Sequence, residues 1–162
     1  MKKRNQIIIA VLSFGLLLSS CSKNLDNSAV TLDLTKTGKI TVVVRNETDI
    51  TLAKTTYTPV ANTKVTLSIA NSNFNADGTG MWSETLTTDA SGMIVADVPA
   101  TLNGVTLNVQ VLAFQGTQVQ NTVDGKVTFK GYFAHDGATI NIKIDDDKVL
   151  DVNNLKFNKA NN

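Results

Sequence analysis

The sequence is poor in the side chains that enzyme active sites and covalent cross-links need. Its 162 residues include one cysteine and one histidine, so the chain cannot form an internal disulfide and has few ligands for a zinc site. Acid–base, nucleophilic and metal catalysis depend on clusters of such groups. His135 directly precedes Asp136-Gly137, which predicts a turn residue rather than a catalytic base. We therefore expect a protein that is not an enzyme and needs no cofactor.

The chain also has no excess of charge of either sign. It contains 15 basic and 14 acidic residues, a formal net charge of +1. Residues 1–20 hold three of the cations and no acidic residue, so the rest of the chain has 15 − 3 = 12 basic against 14 acidic residues, a net charge of −2. Nucleic acids select strongly basic surfaces. The composition therefore argues against a nucleic-acid partner.

The first 21 residues are organised differently from the rest. Lys2, Lys3 and Arg4 precede an apolar run of about 12 residues, whereas a helix that crosses a bilayer needs roughly 20. A positive start, a short apolar run and small residues are the layout of a secretory signal peptide. The last four of these residues resemble the lipobox of bacterial lipoproteins, in which the final cysteine is acylated after cleavage: Leu18, Ser19, Ser20 and Cys21.

This resemblance implies a lipoprotein held in the cell envelope by lipid on Cys21. Each buried CH₂ contributes about 0.8 kcal/mol, and more than one acyl chain makes attachment stable. By the sorting rules of Gram-negative lipoproteins, Ser22 favours the outer membrane, with the leaflet left open. The alternative is an ordinary signal peptide cleaved near Ser20, which would leave a free thiol. Either way, residues 1–20 are predicted to be removed.

Apolar and polar residues alternate along most of the remaining chain, and alternation of period two predicts strands with one buried face. X-Gly pairs, which suit tight hairpin turns, separate the runs: Asp77-Gly78, Ser91-Gly92, Asn103-Gly104, Asp124-Gly125 and Asp136-Gly137. The pattern predicts an all-β, immunoglobulin-like sandwich of about seven to eight antiparallel strands. We expect a flexible tether at 21–37, the sandwich at 38–157 and a frayed tail at 158–162.

Several of these runs resemble the carboxypeptidase regulatory-like domain, a transthyretin-like β-sandwich. The resemblance covers about residues 38–115 and rests on a glycine-led first strand, the run from Pro59 through Val65 to Leu67, the T-x-D-x-x-G pattern from Thr87, and Pro99. The insert at 46–57 and the segment at 71–81 are longer than that family's pattern. The family is mostly accessory or structural, so the resemblance implies a fold more than a function.

The segment from Asn73 to Glu84 resembles an EF-hand calcium loop. Oxygen-bearing side chains alternate, glycine occupies the sixth position and a carboxylate the twelfth, which suits a hard cation. The predicted ligands are Asn73, Asn75, Asp77 and Glu84. Strand-like runs flank the segment, so a polar hairpin loop is the alternative. A second acidic run, Asp145 to Asp147, is either a cation site or a solvated strand end.

Aromatic residues are the remaining candidates for a ligand surface. Exposed rings on a β-sandwich stack on sugars or anchor protein partners. The candidates are Phe74, Trp82, Tyr57 and Tyr132. Trp82 alternatively closes one end of the core. Together these features predict an envelope lipoprotein that acts as a binding or assembly module for a protein or a glycan. The alternative is a subunit of a surface appendage that exchanges strands, with residues 22–37 or 145–157 as the donated segment.

Overall fold

The computed structural model describes residues 35–160. The predicted signal peptide, the lipobox with Cys21 and nearly all of the predicted tether lie outside these residues. Eleven strands and one 3₁₀ turn, Asn71–Asn73, make up the regular structure of the described part. The strands are β1 (Thr37–Glu47), β2 (Tyr57–Pro59), β3 (Lys64–Ala70), β4 (Met81–Thr87), β5 (Met93–Pro99), β6 (Val105–Val111), β7 (Phe114–Thr122), β8 (Gly125–Ala134), β9 (Ala138–Ile142), β10 (Asp147–Val152) and β11 (Lys156–Lys159).

Two sheets form the sandwich. In the first, β1 lies between β5 and β10 and also pairs with the short β2 at its end. In the second, the strand order is β4-β3-β6-β9. The alternating apolar residues of both sheets meet in one aliphatic core, which includes Ile40, Val42, Leu67 and Leu107. Burying each such side chain contributes about 1.5–3 kcal/mol. The predicted all-β sandwich is thus confirmed.

Four details of the predicted fold were wrong. The described part has more strands than seven or eight, and β10 runs parallel to β1, with Ile40 opposite Lys148. A parallel pair needs a long connection, which here runs through the other strands from β1 to β10. The tail predicted to fray from residue 158 instead includes the last two residues of β11, which pairs with β8. At the predicted Asp77-Gly78 turn, Gly80 rather than Gly78 takes the positive φ.

Strands β7, β8 and β11 form a third, three-stranded sheet that we call the arm. The arm continues the β6–β9 pair as a long hairpin. Its core is aromatic: Phe133 is 1% exposed, and its ring centroid lies 5.4 Å from that of Phe114 and 5.0 Å from that of Phe157. Phe114 also packs against the sandwich core. This face of the arm therefore faces the core.

Two glycines make room for the rings of the arm. Gly116 and Gly131 lie opposite each other on the same face as Phe133. A Cβ atom at Gly116 would lie 2.8 Å from the Phe133 ring, and one at Gly131 would overlap the carbonyl oxygen of Asn158 in β11. Glycine is thus needed at both positions for the rings and strands to approach this closely.

The chain enters the sandwich at one end and the arm leaves it at the other. At the start of β1, the Ala100 N–H donates to the carbonyl oxygen of Lys36 at 3.0 Å. At its end, Gln118 of the arm donates from Nε2 to the carbonyl oxygen of Glu47 at 2.9 Å. Strand β1 spans 11 residues, or about 35 Å. The arm and residue 35 therefore lie at opposite ends of the sandwich.

Candidate ligand-binding surface

The arm presents an exposed aromatic ring between two amide side chains. Tyr132 is 46% exposed, although it directly precedes the buried Phe133, because successive side chains of a strand point to opposite faces. Its partner in β7 is Gln115 and its partner in β11 is Asn158. The three side chains form a row across the arm, which we call the Tyr132 row. The row faces away from the core.

The Tyr132 row has donors and acceptors on both sides of the ring. Gln115 is exposed and Asn158 is half-buried. Asn158 donates from Nδ2 to the carbonyl oxygen of Lys156 at 3.3 Å, which leaves its Oδ1 as an acceptor. An apolar ring flanked by amides suits a ligand with an apolar face and hydroxyl groups at its edges.

The other predicted aromatic residues do not join Tyr132. Phe74 and Trp82 are partly buried and pack against the aliphatic core, with Trp82 opposite Ile69 on the inner side of β4. This placement fits the alternative in which Trp82 closes one end of the core. Tyr57 is 41% exposed on β2, where it pairs with Glu47 rather than with amide residues. Of the four predicted aromatic residues, Tyr132 is thus the one that is exposed and flanked by amide side chains, as a ligand-binding residue would be.

The outer face of the β4-β3-β6-β9 sheet carries a second group of polar side chains, which sequence reasoning missed. Ser83, Ser68, Asn108 and Thr139 lie in one row across all four strands. Hydroxyl and amide residues also fill the neighbouring rows. We call this surface the hydroxyl–amide face; its members are Thr66, Ser68, Ser83, Thr85, Thr106, Asn108, Gln110, Thr139 and Asn141.

Three of the predicted calcium ligands, Asn73, Asn75 and Asp77, lie between β3 and β4, and Glu84 lies in β4 itself, so strands rather than helices flank the segment. The Asn73 Oδ1 accepts a hydrogen bond from the Thr106 N–H at 2.9 Å, and the Asn75 Oδ1 accepts one from the Asp77 N–H at 3.2 Å. Glu84 points toward the inner side of β4, which has no partner strand on its other edge among the described residues. A charge at this position discourages pairing with another chain. Calcium binding in this loop stays a prediction.

Two carboxylates of the acidic run that follows β9 pair with lysines of β1 and β10. Asp147 pairs with Lys39, and Asp146 lies 3.1 Å from the Lys148 ammonium. The Lys143 N–H also donates to Asp146, and this hydrogen bond, together with Lys148, lowers the pKa of the Asp146 carboxyl. Within residues 35–160, no three His, Cys, Asp or Glu side chains cluster as a metal site would require.

His135 lies where the arm joins the sandwich. Its side chain is 7% exposed, and its Nδ1 accepts a hydrogen bond from the Val111 N–H at 3.3 Å. The proton of the neutral ring therefore lies on Nε2, which is buried without a partner in the described part. Gln110 donates to the His135 carbonyl oxygen at 2.7 Å. Burial lowers the pKa of His135, and nearby Asp136 partly opposes that shift.

We compared the chain with protein families, curated proteins and solved structures. No protein-family model and no curated protein matches the chain. Among solved structures, a crystal structure of a candidate carbohydrate binding protein from Pseudomonas aeruginosa resembles it at a TM-score of 0.47. The sequences are 14% identical, and the match covers 77% of this chain and 93% of the other. Within the described part, no helix is long and apolar enough to span a bilayer.

Proposed function

We propose that the protein is a lipid-anchored envelope lipoprotein that binds a glycan through the Tyr132 row of its arm. The observation that carries the binding role is the exposed Tyr132 ring between Gln115 and Asn158. The C–H face of a sugar ring packs on an aromatic ring, and its equatorial hydroxyl groups donate to and accept from flanking amides. The lipobox at 18–21 supports the anchor.

The position of the arm supports this role. A chain attached through Cys21 would enter the sandwich at the start of β1, whereas the arm projects from the other end of β1. A ligand in the surrounding medium would therefore meet the arm without obstruction from the membrane. Binding sites placed on a rigid scaffold in this way are common in β-sandwich proteins.

Glycan-array binding of the domain tests the role of Tyr132. We expect Tyr132→Ala to weaken binding about tenfold or more because the stacking surface is lost, whereas Tyr132→Phe keeps most of the affinity. Tyr57→Ala is the matched control, since Tyr57 has a similar exposed fraction but no flanking amides. If the wild-type domain binds no glycan on the array, or if both alanine variants bind equally well, the proposed binding role is wrong.

The anchor needs a separate measurement. Mass spectrometry of the protein purified from detergent-solubilised envelopes is expected to find an acylated Cys21 at the N-terminus. Cys21→Ser should release the protein into the soluble fraction. An unmodified cysteine on a wild-type protein that is already in the soluble fraction would contradict the lipoprotein assignment. It would not bear on glycan binding, which the array tests separately.

No contact of the described residues favours the alternative of an appendage subunit. One of the two segments predicted to be donated, 145–157, is largely used within the chain: β10 pairs with β1, and β11 begins at its end. Pairing by β10 and β11 would have to be broken before either strand could join another copy.

A further inference from the structure

The hydroxyl–amide face differs from an ordinary solvated surface in its lack of charge. Across four strands, the single charged residue in its paired positions is Lys64, at the rim. The outer face of the other sheet, built on the same alternation, carries Lys39, Asp97, Asp147 and Asp151. Folded domains usually mix charged side chains over their surfaces for solubility. Solubility alone therefore does not account for the uncharged face.

The face also keeps unused hydrogen-bonding capacity. Thr66 and Thr85 bond to each other through their hydroxyl oxygens at 3.0 Å, and Gln110 is held by main-chain carbonyl oxygens. The hydroxyl groups of Ser68, Ser83 and Thr139 make no hydrogen bond to another residue within 35–160. Hydroxyl and amide groups both donate and accept, as the hydroxyl groups of a neutral sugar do.

The hydroxyl–amide face lies close to the Tyr132 row. Gln110 ends the face in β6, and Gln115 begins the row in β7, five residues further along the chain. Five residues of extended chain span at most about 18 Å. Both surfaces point away from the core, because Val109 and Val111 of β6 and Phe114 of β7 are the residues that pack into it. A chain of several sugar units is long enough to contact both.

We propose that the hydroxyl–amide face is a second contact surface for a neutral polysaccharide whose end or branch stacks on Tyr132. This inference rests on the proposed glycan-binding function and adds to it a preference for long, uncharged chains. A short oligosaccharide would contact the Tyr132 row alone, whereas a polymer would also bond to the row that contains Asn108 and Thr139. Both surfaces would then act on one molecule, which raises the apparent affinity.

The test compares dextran, mannan, xylan and mixed-linkage β-glucan with their tetrasaccharides, by affinity electrophoresis and calorimetry. The variant Asn108→Ala/Thr139→Ala removes two neighbouring side chains from the face. The control Val95→Ala/Val149→Ala truncates two exposed residues that flank Thr41 on the opposite outer face. Thermal unfolding of both variants checks that the fold is intact.

We expect the Asn108→Ala/Thr139→Ala variant to bind the polymer about tenfold more weakly than wild type and the tetrasaccharide equally well, with the control unchanged. If the variant keeps its affinity for the polymer, or if wild type binds polymer and tetrasaccharide alike, the inference is wrong and the Tyr132 site stands. If Tyr132→Ala has no effect while the double variant loses the polymer, the proposed site is wrong and the face binds alone. If the wild-type protein binds none of these polymers or tetrasaccharides, both the proposed function and this inference are wrong.

Discussion

The sandwich and the arm bury their apolar side chains in different ways. The sandwich buries a continuous aliphatic core between two sheets, with residues such as Leu67 and Ile40 fully enclosed. The arm is one three-stranded sheet whose core is a cluster of three phenylalanine rings packed against two glycines. A core of three side chains has little redundancy. Most of the stability therefore resides in the sandwich, and the arm depends on it.

The largest expected effect comes from truncating the two cores. Leu67→Ala should destabilise the whole domain by about 2–5 kcal/mol, since it leaves a cavity at the centre of the sandwich. Phe133→Ala should cost about 3–5 kcal/mol locally, because both ring contacts of the arm are lost. Hydrogen exchange distinguishes the two: we expect Phe133→Ala to expose the amides of β7, β8 and β11 and leave those of β1 protected. Equal loss of protection in β1 would show that the arm and the sandwich unfold as one unit.

A smaller effect is expected from Gly131→Ala, which tests the close packing of the arm. The added methyl group overlaps the Asn158 carbonyl oxygen, so β11 must shift at a cost of about 1–3 kcal/mol. Thr128→Ala, an exposed position of the same strand, serves as the control. Denaturant unfolding measures both. Unchanged stability of Gly131→Ala would mean that β11 can move without loss, and that the arm is less tightly packed than its rings suggest.

The smallest effect concerns pH at the junction of the two regions. Burial keeps the pKa of His135 below its ordinary value of 6.5, so the unfolded chain binds a proton more readily than the folded one. The stabilising contribution of neutral His135 is complete above about pH 6.5 and decreases as the pH falls toward the folded pKa. His135→Asn keeps an acceptor for the Val111 N–H but does not titrate. We expect its stability to depend less on pH between 5 and 7 than that of wild type, as thermal unfolding would measure.

The sandwich could be predicted from the sequence because its core follows local alternation. Alternation of period two predicts one buried face for each strand, and Ile40, Val42 and Val44 of β1 are all buried in the structure. Four of the five predicted X-Gly turns have a glycine with positive φ. The parallel pairing of β10 could not be predicted, since a strand's partner and direction depend on tertiary packing. Strand β11 is too short to show an alternating pattern.

The candidate site was only partly predictable from the sequence, because strand pairing depends on tertiary packing. The sequence names Tyr132 as one of four aromatic candidates, and the structure exposes its side chain. Its neighbours Gln115 and Asn158 come from distant parts of the sequence and are brought together by strand register alone. The hydroxyl–amide face had a sequence signal, since Thr, Ser and Asn alternate with the apolar residues of β3, β6 and β9. Only the order of the strands shows that they form one surface.

Because β1 runs from one end of the sandwich to the other, it affects how far the proposed ligand site can lie from a membrane. Thirteen residues lie between Cys21 and Thr35, so the chain joining the two reaches at most about 50 Å, and β1 adds about 35 Å. A lipid on Cys21 would thus let Tyr132 sample distances up to about 85 Å from the bilayer. The protein would then reach past the headgroup layer and past neighbouring short proteins, toward polymers that are not themselves attached to that membrane.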